Sequence, residues 1–451
     1  MTDVRRVVVT GMGVVSPLGT GVSDTFDALV EKRCGIDRIK SFDASHFTSQ
    51  IAGEIEGYNV KDCVPKGYRK AIKVMARDIE LAVIAAYHAV RDAGLRTKCL
   101  VDRSEVEGGV DVDSTRFGAN IGAGLICADL NELAGALATS AENPDATGNR
   151  GFSLEKWGSD GMTNLTPLWL LKFLPNMLAC HVTIVHDCQA PSNTITCGEA
   201  SSHLAIGEAF RTISRGAADL CICGGAESKT NPMGLMRQSL LGRLSTDCND
   251  RPAEACRPFD AARTGTVVSE GAGLLILEER ERARARGAEI YAEVVGFGAG
   301  ANASNWLKPQ SDGRAVALAT SKALADAGVS GDDVDLVNAA GVGTREHDAS
   351  EAAGIRAALG DRYREVPVIA TKGAIGNNGA GSGAIDLAMT IMAMKRGVLP
   401  PSINTREVDP DCGLNVVRGD PIDSRADVAV SVATALSGGQ SGAIVIRRAS
   451  E

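Results

Sequence analysis

Residues 191–228 read PSNTITCGEASSHLAIGEAFRTISRGAADLCICGGAES. From Ser201 the apolar residues recur at helical spacing, and the run LCICGG that follows reads as a strand. Cys221 and Cys223 alternate along that strand. No matched Cys/His pair lies nearby, so they read as core thiols, not as metal ligands. A helix delivered directly into an apolar strand is the unit of a layered α/β protein.

The same alternation runs outward in both directions. Residues 5–21, RRVVVTGMGVVSPLGTG, read as a buried strand, a glycine turn and a further apolar stretch. Residues 78–94, DIELAVIAAYHAVRDAG, have helical periodicity and end at glycine. TRFGANIGAG at 115–124 is strand-like, and LWLLKFLPNMLACHVTIVHD at 168–187 suggests a helix and then a strand. Residues 265–300 give a strand, a charged helix and another strand. Beyond them, residues 313–328 are helical, VDLVNAAG at 334–341 is a strand and SEAAGIRAAL at 350–359 is a helix. AIDLAMTIMAMKRG begins a long buried helix at 384, and DVAVSVATALSGGQSGAIVIRR closes the chain with two strands. The polar stretches 98–114 and 140–160 lack clear periodicity and read as loops. We expect an α/β protein of two halves, 1–255 and 256–451, with sheets covered by helices.

Composition narrows the function. A chain of 451 residues suits two packed halves, and 44% hydrophobic residues fill a large interior. Aromatics are only 4%, while glycine and alanine are abundant, which favours close backbone packing. The twelve cysteines are scattered and the six histidines show no ligand spacing, so we expect reduced thiols and no metal. A net charge of −9 argues against nucleic acid as a general partner. No apolar run approaches the roughly 20 residues of a membrane span. With no signal-like h-region at the start, we expect a cytoplasmic location. One local basic run, KGYRKAIKVMAR, carries Lys66, Arg69, Lys70 and Lys73 near the start of a helix. It is either a solvated face or a dock for an acidic protein.

Several motifs together resemble the β-ketoacyl-acyl carrier protein synthases of the thiolase superfamily. VTGMGVVSPLG at 9–19 is similar to the family's first strand and turn. CRPFDAARTGTVVSEGAG at 256–273 resembles its RPFD and GEGAG region. VNAAGVGT and ATKGAIGNN resemble its two histidine motifs, and SGGQSGAIVI occupies the place of its glycine-rich closing motif. The resemblance covers nearly the whole chain. It implies a thiolase-like fold, with two similar βαβαβ-type halves stacked in five alternating layers, and a dimer.

The resemblance also exposes departures. The family places its cysteine nucleophile at the position of Glu199 and histidines at the positions of Ala340 and Asn377. Counting eight residues from Pro191, or back from Ala205-Ile206-Gly207, gives the same register. Making Cys197 the nucleophile would need compensating shifts on both sides. Val342 stands where a family threonine contacts the phosphopantetheine arm, whereas Thr344, the second such threonine, is retained. Ser437 replaces a gating phenylalanine. Lys372 and Glu351 are kept, either as a buried ion pair or with Lys372 turned to hold Glu199 ionised.

Condensation needs a thiolate that holds the acyl chain as a thioester. A carboxylate attacking a thioester would give a mixed anhydride, which is far higher in energy. Ala340 has no donor for an enolate, and Asn377 keeps a donor but cannot titrate. The closest kind of protein is the chain length factor, the partner subunit of type II polyketide ketosynthases, which lacks the catalytic set but has glutamine at the nucleophile position. We therefore expect a non-condensing subunit of fatty acid or polyketide biosynthesis. It would shape acyl chain length beside an active ketosynthase, or dimerise with itself. No cofactor is expected. The implied partner is acyl carrier protein, and any substrates would be phosphopantetheine thioesters. The alternative is an acyl-thioester enzyme of altered chemistry with Glu199 as general base.

Overall fold

In the computed structural model, residues 5–144 and 148–449 are described. Five strands form the body of the first sheet, with the two-residue strand Gly19–Thr20 paired to the end of the first of them: β1 (Val7–Ser16), β2 (Phe117–Ala123), β3 (Asn193–Ile195), β4 (Leu220–Ser228) and β5 (Glu270–Glu279). Every residue of β1, β2 and β4 is buried, which is why these strands read as apolar runs without a polar face. Their spatial order is β3-β2-β4-β5-β1, with β3-β2 and β2-β4 parallel and the remaining pairs antiparallel.

The second sheet repeats this plan. It contains β6 (Ala292–Ala301), β7 (Leu336–Asn338), β8 (Val368–Ile369), β9 (Val428–Thr434) and β10 (Gln440–Arg448). Their order is β8-β7-β9-β10-β6, with the same parallel and antiparallel pairs in the same places. A short ladder from Val7–Val9 to Ala292–Val294 joins the two sheets.

Helices complete the layers. α1 (Arg77–Asp92) and α2 (Met177–His186) cover the outer face of the first sheet. α3 (Ser201–Ser214) and α6 (Ser382–Arg396) lie between the sheets and touch strands of both. α4 (Arg314–Ala327) and α5 (Arg345–Leu359) cover the second sheet, α4 directly on its strands and α5 against α4. The five-layer, two-halved arrangement expected from the sequence is present. Close packing of small residues holds it in both halves. A Cβ at Gly13 would stand 2.0 Å from the Ala85 carbonyl oxygen of α1, and one at Gly298 would stand 2.0 Å from that of Ala319 in α4.

Three sequence expectations change. The seam between halves lies between Glu279 and Ala292, not at 255/256, because β5 pairs with β4 and β1 and so belongs to the first sheet. The β-branched VTIV of residues 182–185 continues α2 and is not a strand. Its surroundings bury Leu178, Val182 and Val185 along one side of a helix, so tertiary packing overrides local β-propensity. The expected loops also contain short elements: a helix at Lys98–Asp102, a ladder between Ala141–Pro144 and Arg150–Phe152, and a helix at Leu154–Ser159. Residues 145–147 of that stretch lie outside the described residues.

Candidate active site

Glu199 sits on the turn Gly198–Ala200 that leads into α3. Gly198 has φ +56°, a conformation that favours glycine and tips the next side chain into the interior. Three groups from three elements then hold the carboxylate. Lys229 Nζ, just beyond the end of β4, donates to Oε1 at 2.5 Å. Asn377 Nδ2 donates to the same oxygen at 3.1 Å, and the Leu436 backbone N–H donates to Oε2 at 2.9 Å.

Glu199 and Lys229 are both about 95% buried. Burial alone would push the carboxyl up. The Lys229 charge and hydrogen bond, with the Leu436 N–H, overcome it and bring Glu199 down to about 2. Burial works against the Lys229 charge, but Glu199 and a second buried carboxylate, Glu227, hold its ammonium above the ordinary value. Burial raises Glu227, which accepts from the Ala380 N–H. The result is a buried Lys229–Glu199 ion pair, with Glu227 near enough to act on the Lys229 charge.

The backbone donor expected for Glu199 is present in the Leu436 N–H, but neither reading of Lys372 holds. Lys372 is fully buried but pairs with Asp386 of α6 and lies beside Thr371. It is not bonded to Glu199, and the expected Lys372–Glu351 ion pair is also absent from the described residues. Glu351 instead accepts from the backbone N–H groups of Ala340 at 2.7 Å and Gly341 at 2.9 Å. Burial pushes Glu351 up to about 8, against those two hydrogen bonds. Its role is to fix the turn that carries Ala340. Ala340, Val342 and Leu436 pack as a small buried apolar cluster, so where a donor would be needed the site offers methyl groups.

Cys197 is turned away. Its backbone N–H bonds Ser201 Oγ, burial raises its thiol, and it does not line the cavity that Glu199 faces. That cavity is about 920 Å³ and is walled by apolar residues including Leu125, Ile126, Met233, Leu241 and Leu436. A second, more polar cavity of about 490 Å³ lies beside it, lined by Thr264, Lys308, Thr344, Arg345 and His347. Thr344 Oγ1 is 2.9 Å from His347 Nδ1, and His347 Nε2 is 3.2 Å from the Leu436 carbonyl oxygen. The carbonyl only accepts, so Nε2 carries the proton and Nδ1 accepts from Thr344. Burial and the Arg243 charge lower the His347 pKa. Ser437 accepts from Arg243 Nη1 at 2.8 Å.

Lys229, Glu227, Arg243 and His347 escaped the sequence reading. One signal was available for Lys229: a lysine that directly extends an entirely buried strand needs a buried anion. The basic run forms a 3₁₀ helix, Lys66–Val74, ahead of α1, with Lys66, Arg69, Lys70 and Lys73 exposed. Lys66, Lys70 and Lys73 form no ion pair among the described residues. In the same residues no helix is long and apolar enough to cross a membrane.

A duplicated five-strand plan around two buried helices, with a helix-end side chain in a deep apolar cavity, is the thiolase-like ketosynthase architecture. The N-terminal domain model of beta-ketoacyl synthases matches residues 4–283 and the C-terminal domain model matches residues 291–406, so the chain belongs to the β-ketoacyl synthase family. Among its relatives, 3-oxoacyl-[acyl-carrier-protein] synthase 2 of Vibrio cholerae is 33% identical over 98% of this chain and 99% of its own. The tetracenomycin polyketide synthase ketoacyl synthase alpha subunit of Streptomyces glaucescens is 33% identical over 98% and 97%. Two solved structures match with a TM-score of 0.82 over 99% of this chain and all of theirs. They are the ishigamide ketosynthase/chain length factor, at 28% identity, and a beta-ketoacyl synthase from Burkholderia phymatum STM815, at 30%. Another, of a type II polyketide synthase acyl-carrier protein in complex with its ketosynthase, matches with a TM-score of 0.83 at 26% identity.

Proposed function

We propose that this chain is a non-condensing ketosynthase-like subunit that works beside an active ketosynthase on carrier-bound acyl chains. One observation carries the reading: the side chain at the nucleophile position is a carboxylate whose two oxygens are already taken by Lys229, Asn377 and Leu436 N–H. With its pKa held down at about 2, it is a weak base at neutral pH and no acyl acceptor. This favours a structural role over the rival reading, in which Glu199 is a general base. The apolar cavity gives such a subunit room to accommodate part of an acyl chain. Among the described residues the outer edge of β3 has no neighbouring strand. Ile184 is exposed on α2, which packs against β3, and Leu168 and Leu170 are exposed on the segment that packs against α2, supplying apolar surface for a partner subunit.

The exposed cations of Lys66–Val74 favour an acyl carrier protein as a further partner. The test is reconstitution. The chain alone, with malonyl-loaded carrier protein and an acyl primer, should form no β-ketoacyl product. Added to a ketosynthase that carries an intact cysteine, it should co-purify and change product length. Sustained product formation by the chain alone would refute the reading.

A further inference from the structure

The two cavities share a wall. Leu240, Leu241 and Arg243 line both, and Arg243 is the one charged residue among them. Arg243 is 7% exposed, and its guanidinium is fastened at both ends: Nη1 donates to Ser437 Oγ at 2.8 Å and Nη2 to the Leu307 carbonyl oxygen at 2.8 Å. These anchors lie on two separate loops, one after β6 and one between β9 and β10. The second loop is also held from two other sides. The Leu436 N–H donates to Glu199, and its carbonyl accepts from His347. Three side chains, Arg243, Glu199 and His347, thus tie one loop across the boundary, and each is itself buried.

We propose that Arg243 is a fixed partition: it keeps a thioester arm that enters by the polar cavity from reaching Glu199 and the apolar cavity. The inference rests on the reading that this protein meets carrier-borne thioesters. The polar cavity suits the amide-rich arm of such a ligand, with hydroxyls from Thr264 and Thr344, the His347 imidazole, Arg345, and the ion pair of Lys308 with Glu346 among its lining. The apolar cavity suits the hydrocarbon. Of the shared wall residues Leu240 is exposed and Arg243 buried, so a ligand that joins the two cavities through their buried side passes Arg243, and opening that path breaks two hydrogen bonds from a buried cation. On this view, loss of the cysteine and closure of the passage are independent devices against condensation.

The experiment puts a reporter thiol at the end of the passage. A Glu199→Cys variant is treated with iodoacetamide or with a pantetheine-linked acrylamide, and modification at residue 199 is read by peptide mass spectrometry, which separates it from Cys127 and Cys197. Iodoacetamide, which is small, should label residue 199 whether or not Arg243 is present, and this also shows that the thiol is reactive. The pantetheine acrylamide should label it at least tenfold faster when Glu199→Cys is combined with Arg243→Ala. Ser437→Ala, which removes one of the two anchors, should give an intermediate rate. If Arg243→Ala does not fold, Arg243→Lys, which loses the two-ended fork, should still raise the rate. Equal labelling by the pantetheine probe with and without Arg243 would overturn the partition. The subunit's inability to condense is read separately, from product formation by the native chain, so the two ideas fail independently.

Discussion

Replacing Lys229 by methionine removes the cation from the Glu199 cluster while roughly keeping its volume. Glu199 then stays buried with only Asn377 and the Leu436 N–H as donors. Lowering its pKa from 4.5 to about 2 is worth about 3 kcal/mol at roughly 1.4 kcal/mol per pH unit. Breaking a buried ion pair from one side costs about 3–5 kcal/mol, so the two routes agree. The sign follows from linkage. A depressed carboxylate contributes stability that is present above its unfolded value near 4.5 and lost as pH falls towards 2. In the variant, burial raises Glu199 instead, so its penalty grows as pH rises above that unfolded value. Glu227, which faces the same cation, shifts in the same direction. Lys229→Met should therefore be destabilised by about 3–5 kcal/mol near neutral pH and by clearly less near pH 4. Urea denaturation followed by circular dichroism at both pH values measures this. The double variant Glu199→Gln/Lys229→Met should recover part of the loss, because the uncompensated charge is gone. A loss below about 1 kcal/mol, or one equal at both pH values, would show that the pair is not the keystone the geometry makes it.

Glu199→Gln alone should keep the fold and partner binding and leave product formation by the reconstituted pair intact; loss of chemistry with partner binding unchanged would favour the general-base reading. Intact-protein mass spectrometry after incubation with acyl donors should find no adduct at Cys197 or residue 199, and a stable adduct at Cys197 would revive it as the nucleophile. Gly13→Ala should destabilise by more than the roughly 1 kcal/mol of a mild packing change, because its Cβ would meet the Ala85 carbonyl; denaturation midpoints check it. Charge reversal at Lys66, Lys70 and Lys73 together should weaken carrier-protein binding and flatten its salt dependence, as read by titration calorimetry at two ionic strengths.

The helix and strand periods of this chain, and the motifs that resemble ketosynthases, were local patterns, and local patterns survive in sequence. They determined the layered α/β class, the duplicated halves and the position of Glu199 at a helix start. The absent donor at Ala340 was equally legible, since a methyl group donates nothing in any fold. The seam between halves was not legible, because β5 is assigned to the first sheet by its hydrogen bonds to β1 and β4, which join residues far apart in the chain. Nor was the cation that neutralises Glu199. Lys372 and Lys229 lie 173 and 30 positions from it in the chain, and sequence has no measure of which ammonium reaches which carboxylate. Only tertiary packing aims Lys229 at Glu199 and Lys372 at Asp386. The same holds for Arg243: its two anchors lie on loops brought together by the pairing of β6 with β10, and Arg243 reaches them from the first half of the chain. Charge pairing in a buried site is a property of distance in space, and that is what folding alone supplies.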